Sequence, residues 1–182
     1  MSDEWYTPSR YIEAAREVMG TIELDPASCA FANRVVKAEQ IYTKADNGLL
    51  HPWSAHSVFL NPPYGRTSEG RGSNLEHFTR YALEQYRCGN TTQAILLIPA
   101  NTATRWFAPL WAHPICFPTF RIRFYTERGP SDGSSFGTCF IYLGPHVERF
   151  IDVFRAFGPI AQAVAPARGQ LQARELWTEA LT

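Results

Sequence analysis

The sequence lacks the features of membrane, secreted and zinc-binding proteins. No hydrophobic run approaches the roughly 20 residues that a membrane-spanning helix needs. The N-terminus contains Asp3 and Glu4 and does not show the basic and then apolar segments of a secretory signal peptide. The histidines have no metal-ligand spacing, and the scattered cysteines form neither a Cys-x-x-Cys pair nor a disulfide framework: Cys29, Cys88, Cys116 and Cys139. We therefore expect a cytoplasmic protein without a metal ion, with ordinary buried or half-buried thiols.

The chain also lacks net charge, with 17 basic and 17 acidic residues, so its composition alone does not indicate a nucleic-acid-binding protein. The distribution is uneven, because residues 60–130 carry eight bases and four acids. All eight bases are arginines, whose planar fork of donors suits phosphate groups. Solvated surface arginines are the alternative explanation. Since few phosphates can be neutralised, we expect weak and salt-sensitive binding of a nucleic acid.

Helix and strand patterns alternate along the chain. Thr7 is the expected N-cap of the first helix, and Gly20 its end. Further helices are predicted over 27–36, 74–87, 102–107 and 145–157, and strands over 21–24, 39–43, 57–60, 93–98, 120–125 and 138–143. The order predicts an α/β fold with a mostly parallel sheet, helices on both faces, and a late antiparallel pair formed by the last two strands. Residues 160–182 are ambiguous, with a further helix starting near Leu171. A single domain over 1–182 fits the length.

The most informative stretch is Asn61-Pro62-Pro63-Tyr64, which follows the apolar run 57–60 where a strand ends. The prolines stiffen the backbone and lack amide hydrogens. A carboxamide beside free carbonyls can accept the hydrogens of an amino group, and the Tyr64 ring offers a flat face for stacking. The stretch predicts a site for an exocyclic amine of a nucleobase. A proline-rich turn with an asparagine cap is the alternative.

The motif resembles that of S-adenosylmethionine-dependent amino-methyltransferases, and its flanks narrow the resemblance to phage-type DNA N6-adenine methyltransferases. Four segments precede it in the family's order: Glu4-Trp5-Tyr6-Thr7-Pro8, Leu24-Asp25-Pro26-Ala27-Ser28, Asp46-Asn47-Gly48-Leu49 and Trp53. The match covers residues 3–66 well and the remainder in outline. It implies a Rossmann-like methyltransferase fold and a phage or prophage enzyme in the bacterial cytoplasm. The short interval from Asp25 to Asn61 predicts a trimmed sheet, with one helix reduced to a loop over 45–53.

The resemblance also implies a pocket for S-adenosylmethionine. Its expected lining is Trp5, Tyr6, Thr7, Asp25, Pro26, Ala27, Ser28 and Asp46. A carboxylate at a strand end, such as Asp25, can receive the amino group of a bound amino-acid moiety, while helix N-terminal amides hold its carboxylate. Turn formation is the alternative role for both Asp25-Pro26 and Asp46-Asn47. No Gly-x-Gly follows Asp25, as it does in many methyltransferases.

The implied reaction is direct methyl transfer to N6 of an adenine flipped out of double-stranded DNA. Asn61, Pro62, Pro63 and Tyr64 are the expected catalytic residues. The expected DNA contacts are Arg66, Arg71, Arg121 and Arg123. Three alternative acceptors use the same chemistry, namely cytosine N4, RNA guanine and protein glutamine. A non-catalytic nucleic-acid-binding remnant is the remaining hypothesis.

Overall fold

The computed structural model describes residues 5–65, 73–126, 129–130 and 136–163. Its helices are α1 (Ser9–Met19), α2 (Ala30–Val36), α3 (Asn74–Arg87) and α4 (Val147–Phe154), with 3-10 turns at Gly48–Leu50 and Ala108–Ala112. Its strands are β1 (Leu24–Asp25), β2 (Gln40–Ile41), β3 (Ala55–Leu60), β4 (Thr91–Pro99), β5 (Ile115–Cys116), β6 (Tyr125–Thr126), β7 (Gly129–Pro130), β8 (Thr138–Leu143) and β9 (Ile160–Ala161). No helix among these residues has the length and apolar character needed to cross a membrane.

Seven of the strands form one sheet in the order β2-β1-β3-β4-β8-β5-β9. The first four pair in parallel, with Leu24 opposite Val58 and Val58 opposite Ala94. Strand β8 runs antiparallel to both β4 and β5, so β5 shares the direction of the parallel strands, and β9 runs antiparallel to β5. The predicted mostly parallel sheet with a late antiparallel strand is confirmed.

Helices cover both faces of the sheet, as predicted. On one face α1, α2 and α4 pack over Phe59, Ile95 and Phe140. On the other face α3 packs over Val58 and Ala94. Side chains alternate between the faces of a strand, so the continuous apolar runs of β3 and β4 supply both layers.

The predicted pairing of 120–125 with 138–143 is wrong. All six residues of β8 are buried, and such a strand needs a neighbour on each side, which β4 and β5 provide. Residues 121–124 keep the predicted alternation, with Ile122 and Phe124 buried and Arg121 and Arg123 exposed, but they join no ladder.

Several boundaries also differ from prediction. Helix α1 begins at Ser9, so its N-cap residue is Pro8 rather than Thr7 and no side chain caps it. The Thr7 hydroxyl accepts a bond from Asn61. Helix α2 starts at Ala30 rather than at residue 27, since a turn follows Asp25. The helix predicted over 102–107 is a series of turns leading into the 3-10 turn at Ala108–Ala112, which contains Pro109. The helix proposed from Leu171 lies outside the described residues.

The prediction that one helix is reduced to a loop over 45–53 is confirmed, although the sheet itself has seven strands. Between β2 and β3 the chain forms only a turn and the 3-10 turn at Gly48–Leu50. A side-chain carbon on Gly48 would collide with the Pro26 carbonyl oxygen, so this connection packs directly on the turn after β1. The fully buried Trp53 donates its indole N–H to the Gly48 carbonyl at 2.9 Å and fixes that approach.

Candidate active site

The carboxyl ends of β1 and β3 bring two of the predicted site residues to one edge of the sheet. Asp25 is the last residue of β1, and Asn61 directly follows β3. The two strands are paired in parallel through Leu24 and Val58, so their ends point to the same edge. Strand β1 lies between β2 and β3, so the strand order reverses at this point of the sheet. Ligands bind in open α/β sheets at such a switch point, outside the carboxyl ends of the strands.

Residues 5–7, which we call the N-terminal segment, hold the side-chain amide of Asn61 on its nitrogen side. Asn61 Nδ2 donates to the Trp5 carbonyl oxygen at 2.9 Å and to Thr7 Oγ1 at 3.3 Å. A backbone carbonyl can only accept, so this bond fixes which end of the amide is the nitrogen. The oxygen, Asn61 Oδ1, consequently faces away from the N-terminal segment and is available as an acceptor.

The Tyr64 hydroxyl donates to Asn61 Oδ1 at 2.9 Å. Burial raises the pKa of Tyr64 well above its usual range, so the phenol stays neutral and keeps its proton as a donor. Its half-buried ring and the Phe136 ring form a T-shaped contact, with ring centroids 5.5 Å apart. Between Asn61 and Tyr64 the backbone places Pro62 in a buried position and Pro63 in an exposed one.

The N-terminal segment is itself held in place by contacts with α2 and with the region around β6. Tyr6 and Tyr125 exchange two backbone hydrogen bonds, of 2.8 and 2.9 Å. The Tyr6 ring packs on Phe31 of α2 at 4.8 Å, and the Trp5 ring meets Phe124 edge-on at 6.1 Å. Tyr6 thus contacts β6 and α2, while its neighbours Trp5 and Thr7 hold the Asn61 amide.

The carboxylate of Asp25 is buried, with only 4% of the residue exposed. Its Oδ1 accepts from the Ala27 amide at 3.2 Å, and no ion pair of the described residues involves it. Burial raises its pKa to about 6, opposed in part by the Ala27 amide and the nearby Ser28 hydroxyl. The Ser28 hydroxyl nevertheless falls short of hydrogen-bond geometry, and its buried Oγ is left without a partner among the described residues.

The family model described as DNA N-6-adenine-methyltransferase (Dam) matches residues 1–141. The chain belongs to this Dam family. The match includes the Asp25 turn, the Asn61 motif and the strands that carry them. No curated relative matches the chain. The Dam family methylates N6 of adenine in DNA and uses S-adenosylmethionine as the methyl donor.

The Asp25 turn of this Dam-family chain fits that methyl donor. S-adenosylmethionine carries an ammonium group, a carboxylate and a sulfonium. A buried carboxylate without a cation and a buried hydroxyl without a partner are unfavourable unless a ligand satisfies them. Asp25 and Ser28 present these two groups on one turn, so the residues present are suited to an amino-acid moiety.

Asp46 takes the turn role in this structure. Its Oδ2 accepts from the Thr43 amide at 2.8 Å and from the Thr43 hydroxyl at 2.6 Å, which lowers the pKa of this exposed carboxyl group. It lies after β2, at the same edge as Asp25. Backbone bonds join the two strand ends, since the Tyr42 amide donates to the Asp25 carbonyl at 3.0 Å and the Ser28 amide to the Tyr42 carbonyl at 2.9 Å.

Two of the four predicted DNA-contacting arginines lie within the described residues. Arg121 and Arg123 are exposed and line a surface groove of about 460 Å³ beside the start of α1. We name it the arginine groove, and its charged and aromatic lining is Arg10, Phe120, Arg121, Arg123 and Tyr125. Arg66 and Arg71 lie outside the described residues.

Sequence reasoning missed two supports of the site. Cys29 caps α2, accepting from the Ala32 amide at 3.4 Å, and its thiol faces the Tyr6 hydroxyl at 3.7 Å. Arg10 lines the arginine groove although it lies more than a hundred positions before the groove's other arginines, Arg121 and Arg123. A cysteine directly before a helix was the available signal for the first, whereas nothing local marked Arg10. Over 5–65, 73–126, 129–130 and 136–163, no three His, Cys, Asp or Glu side chains are grouped to hold a metal ion.

Proposed function

We propose that this protein methylates N6 of a specific adenine in double-stranded DNA, with the target adenine rotated out of the stack and held at Asn61-Pro62-Pro63-Tyr64. The observation that carries the proposal is the orientation of the Asn61 amide. Trp5 and Thr7 engage its nitrogen, which leaves Asn61 Oδ1 as a fixed acceptor beside the backbone of Pro62. An exocyclic amine supplies the two donors that such a pair of oxygens accepts.

The role of Asn61 is to make the N6 lone pair available. In adenine this lone pair is delocalised into the ring, which makes the amine a weak nucleophile. Hydrogen bonds from N6 to Asn61 Oδ1 and to the Pro62 carbonyl favour a tetrahedral nitrogen, on which the lone pair points out of the ring plane. Fixed acceptors reduce the reorganisation that the reaction requires. No strong base is needed, because the proton on N6 becomes acidic only after methylation.

Tyr64 is proposed to stack on the extruded adenine. Its hydroxyl occupies one of the two lone-pair positions of Asn61 Oδ1. The amine can therefore take the second position, while the neutral phenol helps to fix the amide from the oxygen side. Phe136 supports the Tyr64 ring through a T-shaped contact.

The Asp25 turn is proposed to bind the methyl donor. Asp25 would hold the ammonium group, the Ser28 hydroxyl would donate to the carboxylate, and Pro26 and Ala27 would line the pocket beside them. When bound, S-adenosylmethionine supplies an electrophilic methyl group. Trp5 and Tyr6 are proposed to cover the sulfonium or the adenine of the donor. Asp46 is proposed to accept from the donor's adenine amine, and Thr7 to line the same pocket while it holds Asn61.

DNA is proposed to be bound weakly and with a short or relaxed sequence preference. Arg121 and Arg123 are exposed and suited to phosphates, and Arg66 and Arg71 are proposed to reach phosphate or guanine. The neutral overall charge favours a modest number of phosphate contacts. We propose further that residues 1–182 form one domain, and that the enzyme is a cytoplasmic modification enzyme of a phage or prophage.

The test is transfer of labelled methyl groups from S-adenosylmethionine to unmethylated double-stranded DNA, followed by nucleoside analysis. N6-methyladenine is the expected product. Label in N4-methylcytosine would mean that the same site methylates cytosine instead of adenine. If DNA stays unlabelled while RNA or protein glutamine takes up label, the DNA substrate is wrong. A chain that binds nucleic acid but fails to bind S-adenosylmethionine would be a non-catalytic remnant.

A further inference from the structure

The arginine groove is a positively charged surface whose charge is not neutralised within the described residues. None of Arg10, Arg121 and Arg123 takes part in an ion pair there. Arg10 donates to the Tyr11 hydroxyl at 2.7 Å and packs over its ring, which positions the guanidinium without neutralising it. The residues lining the groove include no carboxylate. Three such guanidinium groups favour a polyanion as the ligand.

Phe120 lies among these arginines with 80% of its surface exposed. It is the most exposed of the large hydrophobic residues in the described part of the chain. Tyr125, 47% exposed, adds a second ring to the same groove. Aromatic faces flanked by cations are the combination with which proteins bind single-stranded nucleic acid, because an unpaired base can stack on the ring while its phosphates meet the charges. A base inside a duplex presents no free face.

Two structural links connect the groove to the Asn61 motif. Tyr125 exchanges backbone bonds with Tyr6, whose neighbours hold the Asn61 amide. On the other side, the Arg121 side chain lies next to Gly137. A Cβ placed on Gly137 would be 3.6 Å from Arg121 Nη1. The residue before Gly137 contacts the Tyr64 ring. A strand leaving the catalytic motif therefore has a short path to the groove.

We propose that base pairs beside the extruded adenine also open, and that the arginine groove binds the unpaired stretch of DNA formed there. Arg10, Arg121 and Arg123 hold its phosphates, and Phe120 stacks on one of its bases. The groove thereby stabilises the opened form of the substrate, and affinity for unpaired DNA exceeds what charge alone provides. The identification of the ligand as the substrate strand rests on the proposed function.

The test is equilibrium anisotropy with a fluorescein-labelled single-stranded DNA 16-mer and with the same strand in a full duplex, without a methyl donor. Phe120→Ala should weaken single-strand binding by about five- to a hundredfold, the effect of one lost stacking interaction. Duplex binding should change less than twofold. Trp111→Ala is the matched control, since Trp111 is also an exposed aromatic residue but lies outside the groove. It should bind both probes like the wild type.

The arginines are tested through the salt dependence of the same binding. Each of Arg121→Gln and Arg123→Gln should reduce the slope of log K against log salt concentration by about 0.7 on the single strand. Arg155→Gln is the control, because Arg155 is exposed, pairs with Asp152 and lies outside the groove. Its slope should equal that of the wild type. Unchanged slopes in both groove variants would overturn the assignment of phosphates to the groove.

Other outcomes of the anisotropy experiment also decide the matter. The role of unpaired bases would be overturned if Phe120→Ala bound the single strand like the wild type. It would also be overturned if this variant lost single-strand and duplex affinity equally. A wild type that prefers the matching RNA strand tenfold would overturn the choice of DNA. Since no methyl transfer is measured, the two proposals can fail separately. Loss of N6-methyladenine formation contradicts the proposed function, whereas loss of the Phe120 effect contradicts only this inference.

Discussion

Thr7 and Asn61 are joined by a side-chain hydrogen bond of 3.3 Å, although 54 positions separate them in the sequence. The bond uses the hydroxyl that was expected to cap α1, and Thr7 is buried. Together with the Trp5 carbonyl, it holds the nitrogen side of the Asn61 amide. The N-terminal segment is therefore a positioning element for the Asn61 side chain of the proposed catalytic motif.

Thr7→Val should lower kcat by up to about tenfold, because it removes one hydrogen bond from the amide while keeping the shape of the side chain. Thr7→Ser should restore most of the rate, since the hydroxyl returns. Steady-state kinetics with saturating DNA and methyl donor measure the effect. Calorimetry of S-adenosylmethionine binding separates positioning from cofactor contact. A weaker donor affinity with an unchanged kcat would contradict the positioning role.

Tyr64 contributes a ring and a hydroxyl, and two variants separate them. Tyr64→Phe keeps the stacking face and leaves one acceptor position of Asn61 Oδ1 open, so kcat/KM should stay within a few-fold of the wild type. Tyr64→Ala removes the face and should lower kcat/KM by about five- to a hundredfold, as expected for loss of one base-stacking interaction. Methylation rates over a range of DNA concentrations give both values. Equal losses in the two variants would assign the role to the hydroxyl instead.

Donor binding should depend on the charge of Asp25. Burial raises its pKa from 3.8 to about 6 in the free protein, so the group is largely protonated below that pH. An ammonium ligand needs the ionised form, and affinity for S-adenosylmethionine should rise as the pH increases through about 6. Calorimetry between pH 5 and pH 7.5, values chosen to bracket that pKa, measures the effect. Asp25→Asn should bind weakly at every pH, and a wild-type pH dependence in this variant would refute the assignment.

The same group should affect the stability of the free protein in the opposite direction. The unfolded chain loses this proton near pH 3.8, before the folded chain loses it near pH 6, so the folded form binds more protons between these values. The free energy of unfolding should therefore fall as the pH rises through this window, by roughly 3 kcal/mol for a shift of about two units. Urea denaturation at the two ends of the window tests this. Asp25→Asn should remove that part of the fall.

Gly48 should tolerate no side chain. A Cβ there collides with the Pro26 carbonyl oxygen, so Gly48→Ala must displace the turn that carries Asp25. We expect a loss of about 1–3 kcal/mol in the free energy of unfolding, together with weaker donor binding. Gly65→Ala is the control for stability, since a Cβ at Gly65 has nothing within 4 Å. Equal stabilities of the two variants would contradict the close packing of this turn.

Local sequence patterns predicted the elements whose signals lie in one segment. Helix α3 begins and ends where its apolar spacing and flanking polar residues predicted, and the polar residues at the ends of β1 and β3 marked the site edge. The partners of β8 were missed because burial on both faces reveals a central strand but not its neighbours. Strands β5 and β9 have two residues each, too few for any alternation.

The candidate site was predictable to a similar degree. Asp25 and Asn61 were found because each follows an apolar strand, which is a local signal. The contact of Thr7 with Asn61 and the inclusion of Arg10 in the arginine groove depend on tertiary packing between distant segments. Asp46 was assigned to the donor pocket by the resemblance, whereas its hydrogen bonds to Thr43 follow from the ordinary preference of aspartate for turns.

The central claim is that Asn61 Oδ1 accepts the amine of the target adenine. The most direct measurement is single-turnover methyl transfer to DNA by the wild type, Asn61→Ala and Asn101→Ala, with donor affinity measured in parallel. Asn101 is exposed and lies outside the motif, so its variant should react like the wild type. Asn61→Ala should bind the donor normally and lose at least a hundredfold in rate, the usual cost of removing a preorganised electrostatic partner. A rate for Asn61→Ala within a few-fold of the wild type would contradict the account.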